Sequence, residues 1–223
     1  PEGSVLRAWV PGCSTGEEAY SLAIVFREAI EKVNNPRKTT LQVFASDLDY
    51  EAVGIARKGV FPSNIAADVS SDRLNRFFSP IDDGYRVCTE IREMIVFAHH
   101  NIIMHPPFTK IDILSCRNLL IYMDPVLQRK LLGMFYYSIN PEGIMILGSS
   151  ETLGIQSHLF TSVDSKLKIY KRSLTSLVPD VFDFPSSFSR NKHFKPETSG
   201  PVKSVMNIQT LADQLLIKHF SPA

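Results

Sequence analysis

The residues best suited to chemistry form a turn of small side chains, Gly12-Cys13-Ser14-Thr15-Gly16, which Glu17 and Glu18 follow directly. An apolar segment rich in strand formers precedes the turn at residues 6–10, and apolar residues at helical spacing follow it at residues 22–30. Glycine permits a positive φ and a close approach of the backbone to a ligand. A glycine turn between a first strand and its helix is the usual nucleotide site of open α/β sheets, so the pattern predicts such a site here.

The two acidic residues at the start of the helix restrict which nucleotide could bind. The carboxylates of Glu17 and Glu18 suit the helix dipole, but they would repel a pyrophosphate resting on the free N–H groups of the helix. They would tolerate a ligand without phosphate and with positive charge. S-adenosylmethionine (SAM) is such a ligand, because it carries an ammonium, a sulfonium, a ribose and an adenine. The turn by itself also fits an ordinary capped helix that binds nothing.

A second acidic position follows the next apolar strand pattern, at residues 41–46. An acidic side chain at the end of the second strand is well placed to bind ribose hydroxyls, which makes Asp47 the candidate for that role. Asp49 stands just before a short helical pattern and is predicted to cap that helix. Together, the glycine turn and Asp47 favour a nucleoside ligand over the ligand-free interpretation.

Strand and helix patterns alternate along the chain, which predicts an α/β fold with a doubly wound, mostly parallel sheet. Residues 60–98 are longer than a usual connection between a strand and a helix, so they are predicted to be a small inserted subdomain that ends in the third strand, at residues 94–98. Pro125 is predicted to open the helix after the fourth strand. Asn140-Pro141-Glu142-Gly143 is predicted to be a turn before the fifth strand.

Four segments in this order, GCSTGEEAYSLA, FASDLD, DILSCRNLLIYMD and INPEGIMILGSSETLG, strongly resemble the CheR-type chemoreceptor glutamate methyltransferases. Four further segments are closer still in sequence to the CheR part of CheB–CheR fusion proteins: IAADVS, REMIVFAHHNII, PPFTKIDILSCRNLLIYM and VDSKLKIYKR. The resemblance covers roughly residues 6–172. It implies a Rossmann-like class I SAM-dependent methyltransferase fold and an enzyme of chemotaxis and signal transduction that methylates glutamates of chemoreceptor-like proteins.

The resemblance also assigns roles to individual residues. The methionine part of SAM should lie near the turn of Gly12, Ser14 and Gly16 and near Glu17, with the ribose on Asp47. The remaining family positions follow later strands: Asn101 and Ile102 on the adenine side, Arg117 and Asn118 lining the SAM pocket, and Tyr122 near the transferring methyl. Of these, Arg117 and Tyr122 are the expected catalytic residues. No metal is expected.

The expected reaction is an attack of a substrate carboxylate on the methyl carbon, which leaves S-adenosylhomocysteine (SAH). A glutamate has a pKa of about 4.3, so it is ionised at neutral pH and needs no general base. The alternative is a SAM-binding sensory or scaffold module without methyl transfer. Two look-alikes are weaker: Gly12-x-Ser14-x-Gly16 matches a hydrolase nucleophile elbow, and His105-Pro106-Pro107-Phe108 is similar to a motif of nucleic-acid methyltransferases, with His105 in place of Asp or Asn.

The composition excludes several classes of partner. The 223 residues carry a formal net charge of +1 and show no basic stripe, which argues against a nucleic-acid partner. Three widely spaced cysteines fit reduced cytoplasmic thiols. No apolar run approaches the ~18 residues of a membrane span, so no membrane insertion is expected. Because the sequence begins without Met and lacks the N-terminal helical lobe of the family, we expect a fragment that is a poor catalyst by itself.

The C-terminal part differs in pattern from the rest. Residues 1–172 are predicted to form the SAM-binding methyltransferase domain, and residues 173–204, rich in Ser and Pro, a linker. Residues 205–220 repeat apolar side chains at three- and four-residue steps, which predicts a helix that leads to a downstream domain. Self-association through the apolar face of this helix is the corresponding expectation.

Overall fold

A computed structural model describes residues 3–33 and 39–174. Their strands are β1 Val5–Pro11, β2 Thr40–Asp47, β3 Val60–Pro62, β4 Phe78–Ile81, β5 Gly84–Val87, β6 Ile95–His99, β7 Ile111–Cys116, β8 Ile139–Leu147, β9 Phe160–Asp164 and β10 Ile169–Arg172. Seven of them form one sheet in the order β6-β2-β1-β7-β8-β10-β9. In this order, the five neighbouring strands from β6 to β8 run parallel to one another. Strand β10 is antiparallel to both β8 and β9.

Helices cover both faces of this sheet, which confirms the predicted doubly wound α/β fold. The helices are α1 Glu17–Lys32, α2 Tyr50–Lys58, α3 Ser71–Phe77, α4 Thr89–Glu93 and α5 Pro125–Ser138, with short 3-10 helices at Ser63–Ala67, Leu120–Tyr122 and Gly154–Leu159. Side chains alternate along β1, so Ala8 and Val10 pack with α1 and α2 while Trp9 packs with α5 on the other face. Both faces of the sheet are therefore buried, and their apolar cores fix the positions of the strand ends.

Asp49 caps its helix as predicted, and Asp124 forms a similar cap that was not predicted. The Oδ1 atom of Asp49 accepts hydrogen bonds from the N–H groups of Glu51 at 2.8 Å and Ala52 at 3.1 Å, at the start of α2. Asp124 does the same for the first turn of α5, where Pro125 is the first helical residue. Both caps satisfy N–H groups that have no partner inside the helix.

The second sheet is small and antiparallel, in the order β3-β5-β4. Ion pairs connect its helix α3 to α1: Arg73 donates to both carboxylate oxygens of Glu28, at 2.8 and 2.7 Å, and Arg76 pairs with Glu31. Strand β6, which lies at the end of the segment 60–98, belongs to the large sheet instead. The small sheet therefore stands beside α1, next to the start of the helix that follows the glycine turn.

The prediction of a separate turn at residues 140–143 is wrong, because these residues lie inside β8 as a bulge. Between the pairs Ile111 with Ile139 and Ile113 with Ile144, β7 advances by two residues and β8 by five. Glu142 takes a left-handed φ of 69° within the extra length. The turn residues thus bend a strand that has already begun, and they lie at the opposite end of β8 from the carboxyl edge of the sheet.

Two sequence predictions fall outside the described residues. The predicted linker 173–204 is described only at Ser173 and Leu174, and the predicted helix 205–220 is not described at all. Within residues 3–33 and 39–174, no helix is long and apolar enough to cross a bilayer.

Candidate functional site

The candidate site lies where the strand order reverses, between β1 and β7. From β1 the chain moves outward to β2, whereas β7 and β8 lie on the other side of β1. In open α/β sheets, the crevice at the carboxyl ends of the strands on either side of this switch point is the usual ligand site. The loops after β1, β2, β6, β7 and β8 all leave the sheet at this edge, and they carry every residue that the sequence assigned to the site.

The glycine turn after β1 has the backbone that its sequence predicts. Gly12, Ser14 and Gly16 have positive φ values of 70°, 46° and 98°. The N–H groups of Gly12 and Cys13 both donate to the carbonyl of Ser46, at 2.7 and 3.1 Å, so the turn stays attached to the end of β2. Three left-handed residues within five positions fold the backbone tightly at the start of α1.

The two glycines are also required by packing. A Cβ atom on Gly12 would lie 3.1 Å from the Cδ1 atom of Leu119, in the loop after β7. A Cβ atom on Gly16 would lie 3.1 Å from the Cβ atom of Ala56 and 3.2 Å from the ring of Phe97. The turn is therefore held between α2 and β6 on one side and the loop after β7 on the other.

Asp47 holds the turn from the end of β2. Its Oδ2 atom accepts a hydrogen bond from the N–H group of Ser14 at 2.8 Å, and its Oδ1 atom accepts one from the N–H group of Asp49 at 2.9 Å. Each carboxylate oxygen can accept a further hydrogen bond. The side chain can thus fix the turn and still bind hydroxyl groups of a ligand.

Glu18 is the acidic residue of α1 that lies against β7. The hydroxyl of Ser115 donates to its Oε1 atom at 2.5 Å, and Glu18 forms no ion pair with any residue in the described ranges. Burial raises the pKa of Glu18 to about 7; the hydrogen bond from Ser115 and the charge of Arg117 oppose this rise, and the charge of Glu151 adds to it. A half-buried carboxyl that forms no ion pair within the described ranges is suited to a positively charged ligand group.

Glu17, which is predicted to belong to the site, is exposed at the start of α1. Its carboxylate accepts a hydrogen bond from the hydroxyl of Thr15, at 2.7 and 2.8 Å from its two oxygens. It borders a groove of about 310 Å³ between α1 and the small sheet, which is lined mainly by apolar side chains such as Ile24 and Phe61. Glu18 thus contacts β7 through Ser115, whereas Glu17 contacts the turn through Thr15, and the role of Glu17 in the site stays a prediction.

The predicted adenine-side residues follow β6. The Oδ1 atom of Asn101 accepts hydrogen bonds from the N–H groups of Ile103 at 3.0 Å and Met104 at 3.2 Å, so it shapes the turn, and Ile102 packs against the core around Trp9. His100, just before them, is 9% exposed, and its Nε2 atom lies 3.0 Å from the carbonyl oxygen of Pro106. Burial lowers the pKa of His100, which keeps the ring neutral and part of the core.

The loop after β7 presents the remaining predicted residues. Arg117 and Asn118 are exposed, and Asn118 has a left-handed φ of 58°. Tyr122 ends the 3-10 helix Leu120–Tyr122 and is 77% exposed. Arg117 is the member of this group that acts on the crevice electrostatically, through Glu18. The N–H group of Tyr122 donates to the carbonyl of Leu119 at 3.2 Å.

A further buried acid at this edge, Glu151, was not recognised from the sequence. It is 2% exposed, and its carboxylate accepts hydrogen bonds from the backbone of the loops after β7 and β8. Glu151 follows the small residues Gly148-Ser149-Ser150 at a strand end, and this position could have indicated that it belongs to the site. Glu18 and Glu151 together make the centre of the crevice acidic.

This arrangement favours binding over acid–base or thiol chemistry. Burial raises the pKa of Cys13 to about 12 and that of Cys116 well above its usual range, so both thiols remain protonated. Within the described ranges, no group of three or more His, Cys, Asp or Glu side chains could hold a metal ion. The crevice offers carboxylate acceptors, backbone groups of a glycine turn and one exposed guanidinium.

A family model described as CheR methyltransferase, SAM binding domain, matches residues 1–169. An uncharacterized 104.1 kDa protein of Rhodobacter capsulatus is 40% identical over 169 residues, which cover 76% of this chain and 18% of that protein. Chemotaxis protein methyltransferase 2 of Vibrio cholerae is 32% identical, covering 71% of this chain and 55% of its own length. The chemotaxis protein methyltransferase of Escherichia coli is 30% identical, with 70% and 55% covered. The chain thus spans about half the length of these chemotaxis methyltransferases.

Proposed function

Because the chain belongs to the CheR methyltransferase family, we propose that it binds SAM in the crevice between β1 and β7 and transfers the methyl group to a glutamate of a chemoreceptor-like protein. The observation that carries this proposal is the pairing of a left-handed glycine turn with a half-buried acid, Glu18, that forms no ion pair among the described residues. The SAM-binding domain match and the topology of a class I methyltransferase sheet support the cofactor. The closer resemblance to CheB–CheR fusion proteins stays a prediction.

The side chains present fit the chemistry of this cofactor. Glu18 is suited to the ammonium of the methionine part, since a carboxylate beside a cation regains the stabilisation that it lost on burial. Asp47 can accept hydrogen bonds from ribose hydroxyls with the lone pairs that Ser14 and Asp49 leave free. We further propose that Asn101 and Ile102 border the adenine and that Arg117, Asn118 and Tyr122 line the side where the substrate approaches.

The proposed reaction needs alignment more than proton transfer. When bound, SAM supplies a methyl group activated by its attachment to a sulfonium. A substrate carboxylate with a pKa of about 4.3 is already ionised near neutral pH; it forms the new C–O bond while the C–S bond breaks, and SAH leaves as a neutral thioether. The chain must orient the two partners and exclude water. Arg117 is exposed at the crevice and can attract the substrate carboxylate.

Methyl-labelled SAM, incubated with this chain and candidate chemoreceptor domains, tests the proposal. We expect label on the receptor that mild base releases as methanol, because an ester is hydrolysed under these conditions and an N-methyl group is not. Label that survives base treatment would rule out carboxylate methylation. Binding of SAM without transfer to any receptor would instead support the alternative of a SAM-binding sensory or scaffold module.

A further inference from the structure

We propose that Glu151 is a positioning residue that fixes the loop after β7, residues 117–120, for SAM binding. Its carboxylate joins two loops at the carboxyl edge of the sheet. The inference rests on the proposed function, because it assigns a role in the same crevice to a residue that contributes no predicted ligand contact.

Both carboxylate oxygens of Glu151 accept hydrogen bonds from backbone donors. Its Oε1 atom accepts hydrogen bonds from the N–H groups of Leu119 at 2.9 Å and Leu120 at 2.8 Å. Its Oε2 atom accepts one from the N–H group of Gly148 at 2.7 Å, and the N–H group of Glu151 donates to the carbonyl of Gly148 at 3.0 Å. Hydrogen bonds to a buried carboxylate are among the stronger ones in proteins, so this side chain fixes both loops.

The loop after β7 contacts the glycine turn, so the position of the loop affects the position of the turn. Leu119, whose N–H group Glu151 binds, packs its side chain where a Cβ atom of Gly12 would lie. Asn118, one residue earlier, has a left-handed φ of 58° and lies close to Gly148, where a Cβ atom would approach its N and Oδ1 atoms to 3.3 Å. A continuous set of contacts therefore runs from Glu151 through the loop after β7 to the turn after β1.

Glu151 also acts on the crevice through its charge. The groups that face Glu18 are Ser115 and Arg117 from β7 and its loop, Glu151 after β8, and Cys13 in the turn. Among them Arg117 and the Ser115 hydroxyl lower the pKa of Glu18, and Glu151 raises it. Replacing the carboxylate of Glu151 by an uncharged group should therefore lower the pKa of Glu18, an effect that loop geometry alone would not produce.

The test compares Glu151→Gln and Glu151→Asp with Glu142→Gln, an exposed glutamate on β8 that pairs with Lys171. SAH affinity of the full 223-residue chain is measured by calorimetry from about pH 6 to 8.5, and folding by circular dichroism. We expect Glu151→Gln to weaken SAH binding roughly 10- to 100-fold, as for loss of hydrogen bonds to a charged group, and to move the midpoint of the pH dependence below that of the wild type. Glu151→Asp keeps the charge and should weaken binding without moving the midpoint, and Glu142→Gln should change neither.

The outcomes separate this inference from the proposed function. If the wild-type chain binds no SAH, the proposed function fails. If the wild type binds SAH and folded Glu151→Gln binds it with the same affinity and the same pH midpoint, only the positioning role is overturned. Should Glu151→Gln not fold, the Asp variant decides: weaker binding by folded Glu151→Asp supports the inference, and wild-type affinity contradicts it.

Discussion

The raised pKa of Glu18 links a single side chain to the stability of the domain. Its folded-state pKa of about 7 lies above the ordinary value of 4.5, so the folded protein keeps the proton over a range in which the unfolded chain loses it. The stability associated with the protonated carboxyl is therefore complete below the unfolded pKa and is lost as the pH rises through about 7. The burial of an ionised carboxyl is the physical cause of this loss.

Glu18→Gln should remove this pH dependence, because the amide remains neutral at every pH. We expect the variant to have a free energy of unfolding about 1–3 kcal/mol above that of the wild type near pH 8, and close to it near pH 5. Urea unfolding at both pH values measures the difference. Glu17→Gln is the matched control, since Glu17 is exposed in the same helical turn and its replacement should change the free energy of unfolding by a similar small amount at both pH values. An equal effect of Glu18→Gln at both pH values would contradict the assignment.

Asp47→Ala should weaken the binding of SAM and SAH by about 1.5–3 kcal/mol, the usual contribution of hydrogen bonds to a charged group. The change removes the predicted ribose acceptor and also the hydrogen bond that holds the N–H group of Ser14. Calorimetry gives the affinity. Asp164→Ala is the control, because the Oδ1 atom of Asp164 also accepts two backbone hydrogen bonds, at 2.9 Å each, in the hairpin between β9 and β10. Equal affinities of both variants would remove Asp47 from the site.

The sequence predicts residue positions well where the signal is local and poorly where a contact joins distant parts of the chain. Asp47 and Asp49 were correctly placed at the end of β2 and the start of α2, since strand ends and helix caps are local signals. The choice between Glu17 and Glu18 depends on the rotation of α1 relative to β7, and the decisive contact, with Ser115, joins residues 97 positions apart. The Glu151 contacts span 31 and 32 positions. No local pattern contains that information.

At the scale of elements, the start of α1 depends on a glycine whose positive φ and close neighbours both disfavour a side chain. Gly16 has a φ of 98°, and a Cβ atom there would meet Ala56 and Phe97 at 3.1 and 3.2 Å. We expect Gly16→Ala to destabilise the fold by at least ~1–2 kcal/mol, since it adds a strained φ to an overpacked contact. SAH binding should be lost with it, because the turn cannot keep its shape.

Gly54→Ala provides the comparison within α2. A Cβ atom at Gly54 has nothing within 4 Å, and alanine is favoured over glycine in a helix by roughly 0.5–1 kcal/mol. We therefore expect this variant to be more stable than the wild type and to bind SAH normally. Thermal unfolding measures both variants. A Gly16→Ala protein with wild-type stability and SAH affinity would show that the turn tolerates a side chain.

Element positions were predictable where the signal is local and were missed where a neighbouring strand decides. The start of α5 at Pro125, capped by Asp124, follows directly from the residue types. Asn140-Pro141-Glu142-Gly143 has the composition of a turn, yet pairing of Ile139 with Ile111 of β7 draws these residues into β8. The composition correctly indicates a bend in the chain, and the adjacent strand determines that the bend becomes a bulge.

At the scale of the whole molecule, α1 connects the crevice to the small sheet. Glu18 contacts Ser115 of β7 at the crevice, and Glu17, the preceding residue, borders the groove beside the small sheet. The ion pairs of Glu28 with Arg73 and of Glu31 with Arg76 hold α3 along the outer part of the same helix. Because these pairs are exposed, water screens them and each adds little, and the apolar contacts of Phe61, Phe77 and Phe78 carry most of the attachment.

The last prediction concerns the C-terminal segment, whose apolar residues recur at helical spacing from Val205 to His219. An isolated helix of this length is marginal in water, so its apolar face needs a partner, and we predict that this partner is a second chain or a following domain. Among the described residues, the contacts that build the crevice lie between Gly12 and Glu151. Deleting residues 202–223 should therefore leave SAH affinity unchanged and reduce the molecular mass of the assembly in light scattering.

Point variants show whether the apolar face of the predicted helix, and not only the presence of the segment, is responsible for self-association. Leu211→Lys and Leu215→Lys place a charge on the predicted apolar face and should lower self-association as the deletion does, because an unpaired charge is costly to bury in an interface. Gln209→Lys places the same charge outside the apolar repeat and should have no effect. A large loss of SAH affinity on deletion would mean that the segment contributes to the crevice. An unchanged assembly in the deletion and both Leu variants would mean that its apolar face does not pair chains.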